Sequence, residues 1–65
     1  MSQHAPHSGE VYFEFTSIGR QVRVAAVDGA TGLEVVVMGP ATATQHQLET
    51  LALRKLQMRL RQGAA

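Results

Sequence analysis

Apolar and polar residues alternate from Glu10 to Ile18 (EVYFEFTSI), which puts Val11, Phe13 and Phe15 on one face of a pleated strand and Tyr12, Glu14, Thr16 and Ile18 on the other. Aromatic and β-branched residues suit a half-buried pleated surface, so the pattern predicts a strand over about 10–18 with the first face inward. Gly19-Arg20 places glycine at the first central position of a two-residue type II′ turn, and a return strand is expected over 21–28. With Ile18 opposite Gln21, Phe15 faces Val24 and Phe13 faces Ala26 on the inner side, while Thr16 meets Arg23 and Tyr12 meets Val27 outside. Glu14 and Arg23 then become diagonal neighbours, close enough for an exposed ion pair worth at most about 1 kcal/mol.

Asp28 to Gly32 (DGATG) reads as a second turn, with Asp28 able to bond the amides of its own loop and two glycines available for positive φ. LEVVVM follows as a third strand over about 33–38. Pairing Val27 with Glu34 keeps Leu33, Val35 and Val37 inside and Glu34 in water, which the cost of burying a lone carboxylate favours. A glycine bulge at Gly32 would shift that register by one. Gly39-Pro40 is expected to end the strand, because proline cannot donate to a ladder.

Thr44 to Gln62 (TQHQLETLALRKLQMRLRQ) has helical rather than strand periodicity. Thr44 with Gln47 forms a capping box, Thr42 with Gln45 is a rival cap half a turn earlier, and Gly63 is expected to close the helix. At about 100° per residue, Leu48, Ala52, Leu56, Leu60 and Leu53 make one continuous flank, and Leu51 with Met58 falls on the other side of Leu48. The predicted architecture is α+β: a three-stranded antiparallel meander followed by one C-terminal helix across its inner face, within a single domain over 10–63. Residues 1–9 (MSQHAPHSG), polar and without period, read as a disordered leader.

Both layers carry more apolar residues than one interface uses. The outer sheet face holds Tyr12, Ile18, Ala25, Val27, Val36 and Met38 around only Glu14, Arg23 and Glu34, and the helix has its second stripe, Leu51 and Met58. Exposed apolar patches of this kind mark contact surfaces. A chain of 65 residues buries only about 60% of its unfolded surface, and with no cysteine there is no disulfide or thiolate metal site to staple it. Self-association is therefore expected, as a homodimer or higher oligomer, with Leu51, Met58, Tyr12, Val27, Val36 and Met38 as the candidate interface residues.

A net charge of +1 draws the molecule strongly to neither nucleic acid nor an acidic membrane. The charge is nonetheless uneven: Arg20 and Arg23 against Glu10, Glu14, Asp28 and Glu34 leave residues 1–43 at −2, whereas Arg54, Lys55, Arg59 and Arg61 against Glu49 leave residues 44–65 at +3. No window approaches the roughly 18 apolar residues of a membrane span and there is no apolar leader, so a soluble cytoplasmic protein is expected, with no membrane partner.

Candidate chemistry alters this picture little. His4 and His7 have an H-x-x-H spacing but no third ligand and no helix to hold them, so no metal or other cofactor is expected. Gly29 and Gly32 lack the following helix and the Lys-Ser/Thr pair of a phosphate loop. His46 has no evident acid partner, and there is neither a cysteine nor a G-x-S-x-G, so no enzyme is expected. Tyr12, Phe13 and Phe15 would need an exposed basic face to stack single-stranded nucleic acid, and the phenylalanines point inward. Arg54, Lys55, Arg59 and Arg61 could contact phosphates, although the helix dipole explains cations at this end equally well. The ββ-hairpin, strand and helix are similar in topology to integrase arm-binding DNA domains, but those need several Arg or Lys on the reading face and this sheet offers Arg23, with Arg20 at a turn.

Taken together, FEFTSIGRQVRVAAVD, TGLEVVVMGP and LETLALRKLQMRL resemble a family of short bacterial proteins, of alphaproteobacterial type, grouped only as a domain of unknown function. The resemblance covers Glu10 to about Arg61 and implies a fold but no site. The reading favoured by the residues is a small self-associating interaction or scaffolding module without catalytic activity, with itself as partner and room for another protein. The alternative is a weak nucleic-acid binder using the basic end of the helix.

Overall fold

The structure, a computed structural model, describes residues 9–63. Three antiparallel strands in the order β1-β2-β3, β1 (Val11–Ile18), β2 (Gln21–Asp28) and β3 (Glu34–Pro40), are followed by one helix, α1 (Gln45–Gly63). This is the expected βββα arrangement. The expected leader lies outside the described residues except for Gly9, and His4 and His7 lie outside them as well.

The first hairpin has the register that the alternation predicts, with Ile18 opposite Gln21, Phe15 opposite Val24 and Phe13 opposite Ala26. Gly19 has φ +60° and Arg20 has no positive φ, the combination of a type II′ turn. Val27 pairs with Glu34, so Glu34 stays exposed and Val35 is buried. The second loop closes by a hydrogen bond from Asp28 N to Leu33 O (2.8 Å), with Gly32 alone of its two glycines at positive φ. Asp28 is 8% exposed. Its Oδ2 accepts from Thr31 N (2.9 Å) and Thr31 Oγ1 (2.8 Å), and Thr31 Oγ1 accepts from Leu33 N (3.1 Å). A buried carboxylate is thus satisfied by its own loop.

The third strand departs from expectation by continuing through Gly39 and Pro40. Ala41 N donates to Arg20 O (2.9 Å), which makes Arg20 and Ala41 a hydrogen-bonded pair. Because such pairs alternate along an antiparallel ladder, Gln21 and Pro40 are a non-bonded pair and the nitrogen of Pro40 points off the sheet. Proline at this position of an edge strand removes no ladder bond. Gly39 is required for a different reason: it lies on the inner face, and a Cβ there would overlap Leu48 Cδ2. The absence of a side chain lets the first turns of the helix sit down on the strand.

The helix begins as the capping box predicts. Gln47 N donates to Thr44 Oγ1 (3.1 Å), and Thr44 N donates to Gln47 Oε1 (2.9 Å), so two otherwise orphaned amides are satisfied reciprocally. Gly63 does not close it, being helical and without positive φ. Leu48, Ala52 and Leu56 are buried against Val24, Ala26 and Val35, and these six form the core.

The core is narrower than the alternation suggests. The helix packs on β2 and β3 and scarcely reaches β1. Val11, Phe13 and Phe15 pack at the edge of the core and stay half-buried. On the outer face Ala25 is 1% exposed, so the apolar surplus there is smaller than the residue types imply. Glu14 and Arg23 form no ion pair, consistent with how little an exposed pair gains from holding two long side chains in one geometry.

Gly39→Ala is expected to lower stability by about 1–3 kcal/mol, the usual range for overpacking a formed core. Thermal unfolding followed by circular dichroism measures this, and an unchanged midpoint would show that Leu48 can give way without cost.

Candidate interaction surfaces

The alternation of bonded and non-bonded pairs decides what each edge of the sheet offers. Gly29 N donates to Glu10 O (2.7 Å), so the even-numbered residues of β1 bond to β2 and the odd ones, Val11, Phe13, Phe15 and Ser17, turn their N–H and C=O groups outward. On β3 the outward residues are Glu34, Val36, Met38 and Pro40, by the same rule applied to the Asp28–Leu33 bond.

The β3 edge is obstructed. Lys55 Nζ donates to Val36 O (2.8 Å), so the mid-strand carbonyl is occupied by a charged side chain from the helix. Pro40 offers no N–H at the end of the strand. Lysine and proline are two of the devices by which sheet edges resist pairing with another chain. On β1 no described residue plays either role: the strand has eight residues, contains no Lys, Arg or Pro, and runs in unbroken register with β2.

Beside the obstructed edge lies an open cleft of about 560 Å³ lined by Met38, Gly39, Pro40, Leu48 and Leu51 among others. Met38 comes from the outer sheet face and Leu51 from the second helix stripe, so the structure brings together two residues that the sequence assigns to separate candidate surfaces. Met58 lies on the same stripe two turns on. Met38, Leu51 and Met58 are three of the four large apolar side chains that are strongly exposed, at 47%, 49% and 47%. Tyr12, Val27 and Val36, the remaining candidates, are half-buried, and Tyr12 OH donates to Glu10 Oε1 (3.0 Å).

The candidate phosphate contacts are not gathered into one patch. Lys55 is engaged with Val36, Arg59 lines a hollow of about 510 Å³ with Thr31, Leu33 and Leu60, and Arg54 and Arg61 lie on the solvent side of the helix. His46 lines the Met38–Leu51 cleft and is exposed. Among the described residues no group of His, Cys, Asp or Glu could hold a metal ion, and no helix is long and apolar enough to cross a membrane.

Two of these features escape sequence reasoning. The role of Lys55 has no local signal, because its partner is 19 residues away. The openness of the β1 edge depends on which strands the helix covers. Composition and periodicity leave that unsaid.

Lys55→Met keeps the apolar stem and removes the ammonium group. The expected outcome is a folded protein that aggregates at lower concentration, because Val36 O is freed on the β3 edge. Static light scattering against concentration checks it, and an unchanged onset would show that the lysine does not guard this edge.

Residues 8–63 match the family model described as Domain of unknown function (DUF6898). No curated protein and no solved structure matches the chain.

Proposed function

The chain belongs to the DUF6898 family, a domain of unknown function, and on that premise we propose that it is a small cytoplasmic self-associating interaction module without catalytic activity of its own. The observation that carries this reading is the incomplete cover of the sheet. The helix lies over β2 and β3, and Val11, Phe13 and Phe15 on the inner face of β1 remain partly in water. Phenylalanine is among the side chains that gain most from burial, about 1.5–3 kcal/mol when complete, so a monomer that leaves two of them half-covered has a strong incentive to associate.

The apolar margin at Met38, Leu51 and Met58 supports an interaction role from the opposite side of the domain. Its cleft is lined mainly by apolar side chains, suited to a protein partner that presents an apolar side chain. The dispersed cations give no comparable support to a nucleic-acid role, which depends on several phosphate contacts acting together.

Sedimentation velocity at micromolar concentration is expected to give a mass of at least about twice the 7.0 kDa of one chain. A single monomeric species throughout would overturn the self-associating reading.

A further inference from the structure

Of the surfaces left open, the free edge of β1 is the one whose backbone specifies its own partner. Val11, Phe13, Phe15 and Ser17 present their outward N–H and C=O groups, and among the described residues nothing pairs with that side of the strand. Such a row is a template for another β-strand. We infer that the β1 edge is the seam of a homodimer, in which two copies of β1 pair antiparallel about a twofold axis at Phe13 and join two sheets of three strands into one of six. The inference rests on the self-associating reading and says where the contact lies.

Three observations point to a second copy of this strand. The first is geometric. Two antiparallel edges related by a twofold axis perpendicular to the sheet keep both inner faces on the same side, and the helices, seated over β2 and β3, leave the space above the paired β1 strands clear.

The second is register. The outward residues are odd-numbered, so odd must face odd and the twofold passes through a residue; the positions that bring most of the inner face together are Phe13, Glu14 and Phe15. An axis at Glu14 sets that carboxylate against its own copy, which like-charge repulsion disfavours. An axis at Phe15 places Phe13 opposite Ser17. An axis at Phe13 places Phe13 opposite Phe13 and each Phe15 opposite Val11, so every inner-face residue from Val11 to Phe15 meets an apolar partner. Outside, Glu14 then stands opposite Tyr12 and Glu10 opposite Thr16. Each Phe15–Val11 pair occurs twice, once on either side of the Phe13–Phe13 pair, as an isologous contact requires.

The third is the contrast with β3, where Lys55 occupies the Val36 carbonyl and Pro40 lacks an N–H, so the row of outward groups is interrupted in mid-strand and at its end. One edge is closed and the other open, so pairing stops at two copies instead of propagating as a ribbon.

Amide hydrogen exchange read by NMR tests the seam directly, because the monomer and the proposed dimer differ at alternate residues. The amides of Tyr12, Glu14 and Thr16 bond to β2 and are protected in either state. Those of Val11, Phe13 and Phe15 are expected to exchange at least about tenfold more slowly at concentrations where sedimentation shows the dimer than on dilution to monomer. Phe13→Lys, which puts a charge on the axis, is expected to give a folded monomer in which the odd-numbered amides lose that protection. Leu51→Glu with Met58→Glu is expected to leave the dimer intact. Unprotected odd-numbered amides in a sample that sediments as a dimer would overturn the β1 seam and leave self-association standing, as would dissociation by the Leu51/Met58 pair. A wild-type monomer at every concentration would overturn both.

Discussion

The contact on which this fold depends is the close seating of the helix on β2 and β3, where Leu48 sits against Gly39 and Leu48, Ala52 and Leu56 meet Val24, Ala26 and Val35. Six residues, two of them alanines, are a small core for any domain. Its efficiency comes from short distances: alanine at 26 and 52 and glycine at 39 bring backbone close to backbone where larger residues would hold the layers apart. Burial near the axis of the helix is complete and falls off quickly to either side.

That economy has a geometric consequence. A single helix about 10 Å wide spans about two strands at their spacing of about 4.8 Å, so a three-stranded sheet cannot be covered by it completely. The helix lies toward the β3 side, from which Lys55 reaches the outer carbonyl of Val36. The uncovered remainder therefore falls on β1, the strand richest in aromatic residues. Closing one edge and opening the other follow from one placement, and the charged residue that guards the closed edge, Lys55, lies one helical turn beyond Leu51 of the Met38–Leu51 cleft.

Loops and caps are self-contained by comparison. Asp28 is satisfied within its own turn, and Thr44 and Gln47 within the first turn of the helix. No buried side-chain polar atom among the described residues lacks a partner. Polar groups thus define where elements begin and turn, while the apolar surfaces are the part of the molecule left unfinished.

Local rules were enough to specify the elements, the type II′ turn at Gly19, the register of the first hairpin, the capping box and the stripe that covers the sheet, because each depends on residues close in the chain or on a two-residue or 3.6-residue period. The register of β3 they only favoured, because a bulge at Gly32 stayed open. The same rules located the exposed Leu51 and Met58, since a helical wheel needs no knowledge of the fold. What they could not reach depends on lateral placement. Where the helix lies across the sheet decides that Phe13 and Phe15 are half-covered, that Met38 and Leu51 share a cleft, that Lys55 meets Val36, and that Gly39 belongs inside a strand beneath Leu48 rather than after its end. Periodicity fixes which way a side chain points about its own element. Only the packing of one element on another decides what it meets there.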